Sequence, residues 1–140
     1  MNMIFYSIVF LVQVDSGILN FMKPGQKQKV SVQGSFFCGK MPATGVLVKL
    51  VDKDTVSDDK MASTKTDHTG FFFLSGKEVE VGRIEPTIKV YHTCRKGVLR
   101  CDRKWSMTVP KKYINSEQTM DIGSINLELK IKGETHDCFH

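Results

Sequence analysis

Apolar and polar side chains alternate in short runs along most of this chain. Val30 and Val32 alternate with polar neighbours and lead into Phe36, Phe37 and Cys38, which predicts a first strand. Gly39 to Thr44 carries turn chemistry, and Val46, Val48 and Leu50 predict a second strand. A third is expected over residues 61–66 and a fourth at Phe71, Phe72, Phe73 and Leu74, an apolar run suited to burial on both faces. Between them, TDHTG at residues 66–70 reads as a turn, with Asp67 bonding the backbone ahead of it and Gly70 free to take a positive φ. Residues 78–83 read as a weak strand or a single helical turn. In residues 87–94, Ile88, Val90 and His92 share one face and Lys89 and Tyr91 the other. Residues 103–109 pair back through the cysteine segment, and Pro110 stops them. Residues 122–131 alternate at Ile125, Leu127, Leu129 and Ile131, the signature of a half-buried antiparallel strand.

No window sustains a 3.6-residue period. Seven to eight short strands divided by turns predict an all-β, two-sheet antiparallel sandwich. Phe36, Phe71, Phe73, Ile88, Val90, Trp105 and Leu127 are the expected filling between its sheets.

The chain opens differently. Ile4 to Val14 is almost wholly apolar and Asp15 breaks the run. That length is too short for a membrane-spanning helix and suits the apolar region of a secretory signal peptide. The expected organisation is a signal peptide over residues 1–16, a flexible lead-in over 17–28 and one sandwich domain over 29–140. A secreted, extracellular chain that does not span the membrane follows from this reading.

Composition then narrows the partners. Lys and Arg number 20 against 15 Asp and Glu, a net charge of +5 that becomes +6 if a leader carrying Asp15 is removed. A secreted basic protein meets anionic lipid head groups, sulfated glycans or acidic extracellular proteins rather than nucleic acid.

The four cysteines, Cys38, Cys94, Cys101 and Cys138, read as two disulfides in such a chain. Three connectivities are possible. The turn-like residues 96–98 between Cys94 and Cys101 favour that pair, which leaves Cys38 with Cys138. The Cys-x6-Cys spacing and scattered histidines match neither a zinc site nor a redox pair, so no metal and no cofactor is expected. A stapled hairpin would hold Arg95, Lys96, Arg100, Arg103 and Lys104 toward water, with Lys111 and Lys112 extending the patch. Burying an unpaired charge is costly. These seven residues are the candidate anion-binding site.

The segments FFCGKMPATGVLVKLVDKDT, DDKMASTKTDHTGFFFLSG, IEPTIKVYHTC, CDRKWSMTVPKKYI and TMDIGSINLELKIKGETHDC, in that order, resemble the nematode transthyretin-like family from about Val30 to Cys138. All four cysteines fall at the family's positions. In GKMPA, Met41 stands where the family usually passes directly from Lys to Pro. The resemblance implies a secreted transthyretin-like sandwich whose members are suspected of carrying small apolar ligands, binding lipid or bridging cell surfaces.

The resemblance carries over no catalytic residue. The 5-hydroxyisourate hydrolases of the same fold use a first-strand His and a terminal Tyr-Arg-Gly-Ser, whereas here the strand is KVSVQGSFF and the end is KGETHDCFH. No Gly-x-Ser-x-Gly elbow occurs. His68 reads as an exposed turn residue, His92 as a core or interface histidine, and His136 and His140 as solvated tail residues. Asp52, Asp54, Asp58 and Asp59 lack calcium-loop spacing and read as a solvated acidic loop. The expected function is non-catalytic extracellular binding of an anionic surface through the basic hairpin. The alternatives are a carrier of a small apolar ligand and, more distantly, a hydrolase.

Overall fold

A computed structural model describes residues 25–54, 58–98 and 101–140. The expected signal peptide and residues 17–24 of the expected lead-in lie outside the described residues. Among these residues nine strands make two sheets: β1 (Gln26–Cys38), β2 (Met41–Pro42), β3 (Leu47–Asp52), β4 (Asp59–Lys65), β5 (Phe71–Glu80), β6 (Pro86–His92), β7 (Asp102–Thr108), β8 (Met120–Asn126) and β9 (Thr135–Asp137). Strand β1 begins at Gln26, so residues 26–28 belong to the sheet. The first sheet sets β1 between β5 and β8, with short β2 at the end of β1; the second runs β4–β3–β6–β7–β9. No helix among the described residues is long and apolar enough to cross a membrane.

Period-two alternation supplies the core. Val30, Val32, Phe36, Phe72 and Leu74 face inward from the first sheet. Val48, Leu50, Ile88, Val90 and Trp105 meet them from the second. Phe36 stacks on Phe72 with ring centroids 5.3 Å apart and meets Trp105 edge-on at 5.9 Å. Each such buried side chain contributes about 1.5–3 kcal/mol.

Two glycines allow close approaches, one within the first sheet and one between the sheets. Gly70 has φ +82° and no room for a Cβ against the Phe36 carbonyl. Asp67 Oδ1 accepts from the Thr69 and Phe71 N–H groups, which fixes the turn as the sequence predicts. At Gly76 a Cβ would lie 2.8 Å from Met61 Cβ, so the missing side chain allows β4 of one sheet to run close beside β5 of the other.

Several expectations need correction. Phe71 and Phe73, placed in the core by sequence, are 38% and 49% exposed. Their neighbours Phe72 and Leu74 point inward instead, because β5 is buried on one face only. The strand expected over residues 122–131 stops at Asn126, whose side chain accepts from the N–H groups of Gly39 and Glu128 and starts a turn. That strand also runs parallel to β1, not antiparallel.

The disulfides join Cys38 to Cys94 and Cys101 to Cys138, not the expected pairs. Cys94 follows buried His92 and enters the space between the sheets, where β1 ends at Cys38. Strand β7 pairs Asp102 with Asp137 of β9, and the next residues outward are Cys101 and Cys138. Their Cα atoms are 4.4 Å apart. One bridge therefore ties sheet to sheet, and the other ties the C-terminal segment to β7.

Candidate functional site

The basic segment after β6 is wired into the protein's own carboxylates. Trp105 faces the core, so alternation along β7 turns Arg103 inward as well, and Arg103 is 6% exposed. Its Nε and Nη2 donate to the two Glu134 carboxylate oxygens at 2.9 and 2.8 Å. Its Nη1 donates to the carbonyls of Cys94 and Leu127 at 2.7 and 2.9 Å, and Nη2 to that of Leu129 at 3.2 Å. This forked pairing is what a guanidinium provides and an ammonium cannot. Arg103 is thus the post around which residues 127–134 wrap, and the expectation that it meets water is corrected.

The other members of the predicted patch divide. Arg95, at φ 53°, pairs with Glu128 at 3.0 Å. Lys96 lies 3.5 Å from Asp102, and Lys104 lies 3.5 Å from Asp137 and 5.6 Å from the Tyr91 ring. Arg100 lies outside the described residues. Lys111 and Lys112 are exposed on the one-turn 3-10 helix Lys111–Tyr113, with Lys112 Nζ 5.2 Å from the Tyr113 ring. The stapled, unpaired hairpin of the sequence reading is therefore a largely neutralised segment.

Unpaired positive charge collects on the outer face of the first sheet. Lys27 and Lys29 of β1 are exposed, and Lys29 lies directly across from Lys77 of β5. Like charges opposite one another in a sheet are unfavourable unless an anion relieves them. Asn115 binds the β1 backbone beside them: its N–H donates to the Lys29 carbonyl at 2.8 Å, and its Oδ1 accepts the Lys29 N–H at 2.8 Å. That anchor brings the turn bearing Lys111 and Lys112 to the same end of the sheet. Among the described residues none of these five lysines is in an ion pair. Exposed Phe71, Phe73 and Val79 share the face through β5. The sequence missed Lys27, Lys29 and Lys77, although Lys27 and Lys29 sit at alternate positions that a register with β5 would have joined to Lys77.

The acidic residues are only partly a solvated loop. Asp52 is buried and accepts the Glu85 N–H at 2.9 Å, and Asp58 pairs with Lys89. Carboxylate oxygens of Asp52, Asp59 and Glu80 gather within 4.8 Å of one another. Burial and those neighbouring carboxylates hold Glu80 above its ordinary pKa.

The histidines also separate. His68 and His136 are exposed. His140 stacks on Tyr91 with centroids 4.4 Å apart and lies 3.2 Å from Asp102, so it is a docked residue rather than a solvated one. His92 is buried beside Arg103, and burial together with that guanidinium lowers its pKa from 6.5 to about 4. Between those values the unfolded chain takes up a proton that the folded chain refuses, so stability is lost as pH falls from about 6.5 toward 4. The loss should approach roughly 3 kcal/mol. Denaturant midpoints of the wild type and of His92→Phe, taken at several pH values, check this: the variant should lose most of the slope in that window.

Residues 33–110 match the model of the Transthyretin-like family. The chain belongs to the transthyretin-like family. Transthyretin-like protein 5 of Caenorhabditis elegans is 43% identical, with 83% of this chain and 88% of that one covered. Transthyretin-like protein 2 of the same organism is 40% identical over 96% of this chain and 98% of its own. Transthyretin-like protein 33 is 35% identical, covering 81% and 83%.

Proposed function

We propose that this transthyretin-like protein is a secreted, non-catalytic binding protein that engages an anionic surface, and that the contact is the outer face of the first sheet rather than the hairpin after β6. The observation that carries this reading is the directly opposed, unpaired Lys29 and Lys77, with Lys27, Lys111 and Lys112 at the same end. Phospholipid head groups are favoured over sulfated glycans, because Phe71, Phe73 and Val79 on that face add apolar area suited to a lipid interface. Lysines near an anionic bilayer contribute about 1 kcal/mol each, so five suffice for reversible recruitment. Pairing of the four cysteines supports the extracellular assignment. The carrier reading gains less support: two clefts among the described residues, at about 340 and 370 Å³, are rimmed largely by charged and polar side chains, and a more apolar one, beside Val46 and Leu127, measures only about 250 Å³.

The test is co-sedimentation with vesicles of phosphatidylcholine alone and with one-third phosphatidylserine, at low and high salt. Binding should require the anionic lipid and fall at least tenfold at high salt, since exposed charges are screened. Equal binding to neutral vesicles, or no salt dependence, contradicts the reading. Binding to heparin but to neither vesicle moves the partner to a sulfated glycan.

A further inference from the structure

On the outer face of the first sheet, each row sets one residue of β1 against one of β5. Lys29 faces Lys77, and in the next row Ser31 faces Ser75. All four lie on the side away from the core, since Val30 and Val32 of β1 and Leu74 of β5 point inward. Directly opposed residues have Cβ atoms about 5 Å apart, and successive rows on one face are about 7 Å apart. A lysine stem leaning along its strand covers that interval, so both ammonium groups can stand over the serine row. Ser31 Oγ and Ser75 Oγ lie 2.9 Å apart, a contact that uses one of the two hydroxyl protons and leaves the other to donate. Neither lysine is in an ion pair among the described residues. Asp121, beside Gln33 in the row beyond, is already engaged by the Gln33 amide at 3.2 Å and the Gly123 N–H at 2.8 Å.

Two cations and a hydroxyl in this arrangement discriminate among anions. A carboxylate or a phosphodiester brings one negative charge and leaves one of the opposed lysines uncompensated. A phosphomonoester brings about −1.5 to −2 and three terminal oxygens, enough to accept from both ammonium groups and the hydroxyl at once. The outer face of β5 also has a direction. Phe71, Phe73, Ser75 and Lys77 pass from exposed aromatic to hydroxyl to cation. That is the order of a lipid interface read outward from the acyl boundary.

We propose that this face selects lipids with a phosphomonoester head group, of the phosphatidic acid class, the phosphate seated over Ser31 and Ser75 between Lys29 and Lys77, with Phe71 and Phe73 at the acyl boundary. This preference rests on the anionic-surface reading above and narrows it from charge in general to one head-group chemistry.

The experiment sediments the full chain with phosphatidylcholine vesicles containing phosphatidic acid, phosphatidylserine or phosphatidylglycerol, their contents adjusted to equal zeta potential. Phosphatidic acid should be bound about fivefold to tenfold more tightly than the other two. Ser31→Ala with Ser75→Ala, confirmed folded by circular dichroism, should cut that preference to about twofold or less. An unchanged preference in that variant overturns the site. Equal affinity of the wild type for all three lipids overturns the preference and leaves the anionic-surface reading standing, whereas binding to none of the vesicles overturns both. Soluble glycerol 3-phosphate should bind at least about a hundredfold more weakly than the phosphatidic acid vesicles, because it lacks the acyl boundary. Binding as tight as that of the vesicles would overturn the lipid assignment.

Discussion

Replacing Arg103 by alanine should destabilise the protein by about 3–5 kcal/mol, enough to remove a large part of a domain's usual margin. The guanidinium is the buried partner of Glu134, whose side chain is itself 3% exposed, and of three carbonyls. Deleting it strands a carboxylate in a low-dielectric site with nothing to pair with. Arg103→Lys keeps the charge but cannot reach five acceptors, so it should recover only part of the loss. The instructive comparison is Arg103→Met combined with Glu134→Leu. Removing both charges avoids the stranded one, so the double variant should be more stable than Arg103→Ala. Urea denaturation with the disulfides intact measures all three. A loss below about 1 kcal/mol for Arg103→Ala would mean that this network is not a buried one.

Removing the bridge between the sheets should cost nearly as much. Cys38 and Cys94 are 56 residues apart, and closing a loop of that size stabilises by about 4 kcal/mol in the chain-entropy picture. The Cys38→Ala, Cys94→Ala variant should therefore show a sharply lower denaturation midpoint. Cys101→Ala with Cys138→Ala, across 37 residues, should lose a little less on entropy alone. Non-reducing peptide maps should recover the residue-38 peptide joined to the residue-94 peptide. A map joining Cys94 to Cys101 would restore the stapled hairpin and undo the account of the charges after β6.

The alternation in β1, β3, β6 and β7 was legible because each carries polar residues that set its phase. Trp105 alone could have placed Arg103 inside, two positions away on the same strand. The FFFL run of β5 gave no such phase, and only its register with β1 decides that Phe72 faces the core. The pattern of residues 122–131 carried no information about strand direction, since parallel and antiparallel neighbours need the same alternation, and it hid the turn after Asn126 that leaves Leu127 buried and Leu129 65% exposed. Cysteine pairing misled for a related reason. Nearness in sequence favoured Cys94 with Cys101, whereas the fold sets Cys94 between the sheets and Cys101 across from the C-terminal segment. The candidate binding face suffered most, because Lys29 and Lys77 meet only through sheet register, and Arg95, Lys96, Arg103 and Lys104 look free in sequence until the fold sets Glu128, Asp102, Glu134 and Asp137 beside them.

The most direct measurement sets the two cationic regions against each other. Binding to phosphatidylserine vesicles at low salt is compared for wild type, for Lys29→Glu with Lys77→Glu, and for Arg95→Glu with Lys96→Glu, each confirmed folded by its circular dichroism. Reversing the sheet lysines should weaken binding by tenfold or more, while reversing the hairpin pair should change it about threefold or less. The opposite order, with the hairpin variant losing binding and the sheet variant keeping it, would contradict the account.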